Sequence, residues 1–164
     1  MADLTATAQN SSRPRAGVDS FPITNAEVLY VGALVQLSSG YAAEWDDAGA
    51  GSTFMGVVTA GSTKGSTAAV ARLNGFTGDT SLSPLPHCEV DTSGVVLTGL
   101  TVLGTPTQAK VGDLIYSADG DPASITLDSS GRTDPIGWMI RYTTATDQDV
   151  QLFTPTEHLV QQTA

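Results

Sequence analysis

The feature that most restricts what this chain can fold into is a phrase used twice. Val31-Gly32-Ala33-Leu34-Val35-Gln36-Leu37 returns 80 positions later as Val111-Gly112-Asp113-Leu114-Ile115-Tyr116-Ser117. In each copy a Val-Gly turn releases a short apolar strand. A polar tip follows (Ser38-Ser39-Gly40-Tyr41 and Ala118-Asp119-Gly120-Asp121), then a second strand and a Gly-bearing loop. A Gly-led apolar strand closes each unit, Gly56-Val57-Val58-Thr59 and Gly137-Trp138-Met139-Ile140, with one residue of slippage between the copies. A repeated unit of two or three strands predicts a small all-β body rather than an enzyme scaffold.

Composition agrees. Only 15% of the residues are charged, and there are 17 glycines and 8 prolines. Short strands joined by turns suit that mixture better than helices, whose exposed faces are rich in Glu, Lys and Arg. The 164 residues fit one domain. Short strands at close spacing, without helical crossovers, point to a small β-barrel or β-sandwich with at most one short helix. The region Thr105-Pro106-Thr107-Gln108-Ala109-Lys110 is the expected place for a helical turn.

The formal net charge of -10 argues against nucleic acid or an anionic membrane as the main partner, since phosphate binding needs clustered Lys and Arg. The single cysteine, Cys88, excludes an intrachain disulfide framework. Met1-Ala2-Asp3-Leu4-Thr5 lacks the basic and apolar regions of a signal peptide, and no apolar run reaches membrane-spanning length. Synthesis in a cytoplasm is therefore expected.

Residues 1–20 read as a flexible N-terminal arm, polar and containing Arg13-Pro14-Arg15. Such a segment is expected to order against a partner, with its arginines meeting acidic or polar groups. Phe21-Pro22-Ile23 is expected to anchor it to a body spanning 21–155, and 156–164 reads as a tail without core pattern. Strands are expected at 27–31, 34–37, 41–45, 54–59, 68–73, 87–90, 94–98, 114–116, 137–140 and 149–153. Gly75 to Pro86 reads as a long surface loop.

No catalytic constellation emerges. His87 and Cys88 adjoin on a strand, where consecutive side chains point to opposite faces. His158 lies in the tail without an obvious partner. Asp119-Gly120-Asp121 opens like a calcium loop, but Pro122 follows and the twelfth position lacks Glu. Two histidines and one cysteine are too few for an ordinary zinc site within one chain. The chain is expected not to be an enzyme and to need no metal or cofactor. An alternative use is a binding module, a receptor- or carbohydrate-contacting part of a phage tail or surface appendage. It would work through the 75–86 loop and the aromatics Tyr41, Trp45 and Trp138.

The order of these phrases resembles the tailed-phage head decoration proteins, also called capsid cement proteins. The resemblance rests on the arm with Arg13-Pro14-Arg15, the Val31-Gly32-Ala33-Leu34-Val35 opening and the Phe54-Met55-Gly56-Val57-Val58 strand. It continues with Val111-Gly112-Asp113-Leu114-Ile115-Tyr116 and a late Ile136-Gly137-Trp138-Met139-Ile140 strand. The middle section, 61–104, is longer than in compact members. The resemblance implies a homotrimer on the outer surface of a mature phage head, part of the virion, that bridges major capsid proteins and stabilises the shell. It implies capsid contact through the arm and its root, Arg13, Pro14, Arg15, Val18, Phe21 and Pro22, by strand addition to a capsid sheet.

Overall fold

The computed structural model describes residues 17–47, 53–62 and 75–162. Among the described residues the fold is mostly β, with three antiparallel sheets and one short α-helix. In chain order the strands are β1 (Val18–Pro22), β2 (Val28–Leu29), β3 (Leu34–Ser38), β4 (Tyr41–Glu44), β5 (Thr53–Ser62), β6 (Phe76–Thr77) and β7 (His87–Asp91). Then come β8 (Val96–Leu100), β9 (Leu114–Ile115), β10 (Gly137–Thr144) and β11 (Asp147–Leu152), and the chain ends in helix α1 (Pro155–Gln162).

The repeat is structural. Leu34 and Val35 of β3 pair with Val57 and Gly56 of β5, and Leu114 and Ile115 of β9 pair with Trp138 and Gly137 of β10. The two registers differ by the same single residue as the sequences. The bonds at the turn recur as well. Gly32 N–H donates to Val58 O (2.8 Å) and Val58 N–H to Ala33 O (3.0 Å). Gly112 N–H likewise donates to Met139 O (2.7 Å), and Met139 N–H to Asp113 O (3.0 Å). Both turn glycines have positive φ, 93° and 100°, which a residue with a Cβ adopts only with strain.

Each repeat lies in one sheet, in the orders β1-β7-β5-β3-β4 and β8-β11-β10-β9, the first inside its sheet and the second with β9 at the edge. Alternation gives the five-stranded sheet two buried faces. Leu34 and Val57 belong to one core and their neighbours Val35 and Val58 to the other. The first core joins Leu34, Trp45, Phe54 and Val57 to Ile115, Ile136, Met139, Val150 and Leu152 of the second half, so the two sheets are packed together. The second core holds Ile23, Val35, Met55, Val58, Cys88 and Val90 with Leu29 and Phe76 from the small β2–β6 ribbon. Ile23 forms a parallel bridge to Ala42, and Thr24 N–H donates to Ala42 O (2.9 Å), so the chain leaving β1 curls the sheet back toward β4.

Several expectations shift. The sheet begins at Val18, so 18–20 are strand rather than arm, paired in register with Glu89, Val90 and Asp91. The strand expected at 27–31 is only Val28–Leu29. Gln108–Lys110 is a single 3-10 turn as expected, but Pro122–Ser124 forms another. The α-helix lies where the tail was expected. Thr154 and Glu157 cap it reciprocally, Thr154 N–H donating to Glu157 Oε2 (2.8 Å) and Glu157 N–H to Thr154 Oγ1 (3.3 Å), with Pro155 in the first turn. The strand expected at 68–73 lies outside the described residues.

Candidate interaction surface

The residues singled out from sequence do not converge. Arg13, Pro14 and Arg15 lie outside the described residues. Val18, Phe21 and Pro22 pair with Asp91, Cys88 and His87 inside the protein's own sheet, and Phe21 packs on the second core. They are therefore part of the body, and β1 already spends one edge of its backbone on β7. Of the three aromatics named for a binding role, Tyr41 is partly buried in β4. Trp45 is fully buried, its indole N–H donating to Ser117 O (2.9 Å). Trp138 is half-buried against Phe153, ring centroids 5.1 Å apart. The 75–86 segment is anchored by buried Phe76 in β6 and presents Leu85.

Cys88 and His87 do not make a catalytic pair. Cys88 is fully buried, and burial pushes its thiol up to about 12. Among the described residues no group of three or more His, Cys, Asp or Glu could hold a metal ion.

Two features stand out instead. The first is a buried nest around His158, whose ring stands edge-on to Trp45 at 5.5 Å and lies 6.0 Å from Phe54. Phe54 N–H donates to its Nδ1 (3.2 Å), so the neutral ring carries its proton on Nε2. That Nε2 has no partner among the described residues. Burial lowers the pKa of the ring, partly opposed by the charges of Asp134 and Asp47. Asp47 in turn accepts from Thr133 N–H (3.1 Å) and Asp134 N–H (3.1 Å), tying the loop before β10 to the segment that follows β4.

The second is an acidic cleft of about 400 Å³ where the two repeat units meet, lined by Glu27, Gln36, Glu44, Trp45, Asp46 and Asp119 among others. The seam is close-fitting. Leu34 N–H donates to Gly120 O (2.8 Å), and a Cβ on Gly120 would lie 2.1 Å from Glu44 Cγ. Glu44 N–H donates to Glu27 Oε1 (3.1 Å), which draws a second carboxylate alongside. Burial, then Glu27, Asp119 and Asp121, hold the Glu44 carboxyl above its ordinary range, against a backbone N–H from Gly120. At the floor Gln36 is 9% exposed, and its Oε1 has no donor among the described residues. The cleft thus gathers acceptors and negative charge. Sequence reasoning missed it because its residues are scattered from 27 to 119 and only packing joins them.

No family model matches the chain, and neither a curated protein nor a solved structure matches it.

Proposed function

We propose that this chain is a structural cement protein of a tailed-phage head. It binds the outer surface of the mature shell as a homotrimer and stabilises the shell by bridging major capsid proteins. It performs no catalysis and does not take up nucleic acid or membrane. The observation that supports this reading most is the Val-Gly repeat. The described phrases that carry the resemblance fall on matching strands of two packed sheets, where their glycines serve backbone geometry. Residues 1–16 remain as the segment for strand addition to a capsid sheet, since Val18–Pro22 are already paired with β7. Three arms engaging together give avidity well above that of one.

The test mixes purified protein with expanded heads and with precursor shells, then follows co-sedimentation and cryo-electron microscopy. The expected result is saturable, threefold-related density on expanded heads only. Light scattering should give a trimer at micromolar concentration. A monomer there, or equal binding to both kinds of shell, overturns the reading.

A further inference from the structure

Helix α1 is held on the body by a histidine that has no place for a second proton. His158 is fully buried, whereas Leu159 and Val160 beside it are 48% and 60% exposed. Its Nδ1 accepts the Phe54 N–H (3.2 Å), and its Nε2 is buried without a partner among the described residues. Phe54 lies beside a register shift in the β3–β5 pairing, and the imidazole satisfies its N–H there. A proton on Nδ1 would set donor against donor and leave a charged ring with two unanswered N–H groups. Burying such a charge costs far more than burying the neutral ring.

The charges that face the ring come from two neighbouring segments. Asp47 follows Trp45, Asp134 lies in the loop before β10, and both favour the cation. The Asp47 carboxylate is already bonded to the N–H groups of Thr133 and Asp134, so it acts on the ring through space. Asp46, next to Trp45, lines the acidic cleft. On α1 itself, Glu157 Oε2 accepts from Thr154 N–H. Neither β5 nor residues 48–52 before it contains a titratable side chain. Burial outweighs the two aspartates and lowers the pKa of the docked ring.

The helix is also arranged to leave as a unit. Phe153 N–H donates to Ile136 O (2.8 Å), the last backbone bond to the sheets before α1 among the described residues. The bonds of Thr154 stay within the helix. Its N–H and Oγ1 donate to Glu157 Oε2, and its carbonyl accepts from His158 N–H (3.0 Å). Pro155 has no N–H to give. The cap therefore travels with α1, and a swing between Phe153 and Thr154 breaks no strand pairing. Chain ends with few buried groups open at free energies well below that of global unfolding. We propose that α1 is an acid-released latch: a proton on His158 detaches residues 154–162 together and uncovers the rings of Trp45 and Phe54, while both sheets keep their pairing. The released ring regains the ordinary pKa of 6.5, so docking is fully favoured above pH 6.5 and weakens as pH falls from there to the docked-state pKa. Across that window the release equilibrium rises by up to about tenfold per pH unit.

Amide hydrogen exchange of the full chain tests this, read residue by residue by NMR between pH 7.5 and 5 and corrected for the intrinsic exchange rate. The Phe54 N–H reports release directly, since its acceptor lies on α1. Amides of β7 and β11, strands paired on both sides, report the sheets. The expected result is that Phe54 and α1 exchange through an opening nearly insensitive to dilute urea, and lose protection as pH falls below 6.5. The β7 and β11 amides should stay far better protected and respond steeply to urea. His158→Asn, whose Oδ1 accepts the Phe54 N–H without titrating, should remove the pH response; if that variant is undocked at pH 7.5, the wild-type exchange decides alone. Three results overturn the inference. They are Phe54 protection that is flat from pH 6.5 to 5, a urea response at Phe54 as steep as in β7, and an unchanged pH response in a docked His158→Asn. The chain is free of any shell, so failure here leaves the cement reading untouched, and failure to bind heads leaves this inference untouched.

Discussion

Replacing His158 by Ala should expose how much of the fold depends on its C-terminal helix. The imidazole is fully buried between Trp45 and Phe54 and accepts the Phe54 N–H. Truncation leaves a cavity against two aromatic rings and orphans a buried donor of β5. Large-to-small changes at such sites cost about 2–4 kcal/mol, to which a lost buried hydrogen-bond partner contributes about 1 kcal/mol or more. For a chain of this size that is a fall in Tm of roughly 5–15 °C. Thermal melts by circular dichroism at fixed protein concentration measure it. Trp fluorescence should change as well, because Trp45 loses its neighbour. A Tm within 2 °C of the wild type, roughly the shift expected for less than 1 kcal/mol, would refute the claim that His158 docks the helix.

The same residue sets a pH dependence. Burial keeps the folded-state pKa of His158 below its ordinary 6.5, so on acidification the unfolded chain takes up the proton first. The stability contributed by neutral His158 is full above pH 6.5 and is lost as pH falls through the folded pKa. A protonated Nδ1 also cannot accept from Phe54 N–H, so protonation and loss of the docking bond coincide. Asp47 and Asp134 moderate the effect without reversing it. Denaturant unfolding between pH 7.5 and 5 should therefore show wild-type stability dropping more steeply than that of His158→Ala, the two curves converging toward acid. Parallel curves, or a wild type that gains relative to the variant on acidification, would sink the reasoning.

Two further outcomes follow from the packing. A Cβ at Gly137 would lie 2.1 Å from Gln151 O, and one at the repeat-related Gly56 1.9 Å from Asp91 O, both against backbone. Gly137→Ala should thus cost about 3 kcal/mol or more, because a neighbouring strand must shift. Gly112→Ala, with nothing within 4 Å, should cost only the positive-φ strain of about 1–2 kcal/mol; equal losses in urea melts would contradict the close-approach argument. Cys88, buried with its thiol pushed up to about 12, should stay unreactive toward a thiol reagent at pH 8 until the protein unfolds. Labelling at the rate of a free thiol in native buffer would show that the second core opens readily.

The parts legible in the sequence are those where backbone geometry dictates a residue type. Gly32 and Gly112 mark turns of positive φ, and Gly56 and Gly137 mark close strand approaches, so spacing alone carried the register and its one-residue slip. The Ser39-Gly40 tip was legible for the same reason, both residues having positive φ between paired Ser38 and Tyr41. The C-terminal helix was hidden because no apolar core pattern marks it. Its apolar pair Leu159 and Val160 are 48% and 60% exposed, while polar His158 is the one that docks. Its one local signal was Thr154-Pro155-Thr156-Glu157, a capping box with Pro at the first helical position. Trp45 and Trp138 looked like surface aromatics because their partners, Ser117 and Phe153, are remote in sequence.

The seam between the repeats is where the two units stop being equivalent, and that bears on function. Their hydrogen-bonded turns match bond for bond, but the Ser38–Tyr41 tip closes an ordinary hairpin while Ala118–Asp121 folds onto the other unit. A Cβ on Gly120 would meet the Glu44 side chain, and Asp121 caps the Pro122–Ser124 turn by accepting from Ala123 N–H (2.9 Å). The polar tip of the second unit is thus committed to bringing Asp119 beside Glu44 and Glu27. Those like charges destabilise the isolated seam, since each raises the cost of ionising Glu44. Asp119 Oδ1 also accepts from Asp121 N–H (3.0 Å), so the tip's own turn holds that carboxylate at the seam. Packing thus turns a repeat that reads as uniform scaffold into an acidic cleft at a place where its copies diverge.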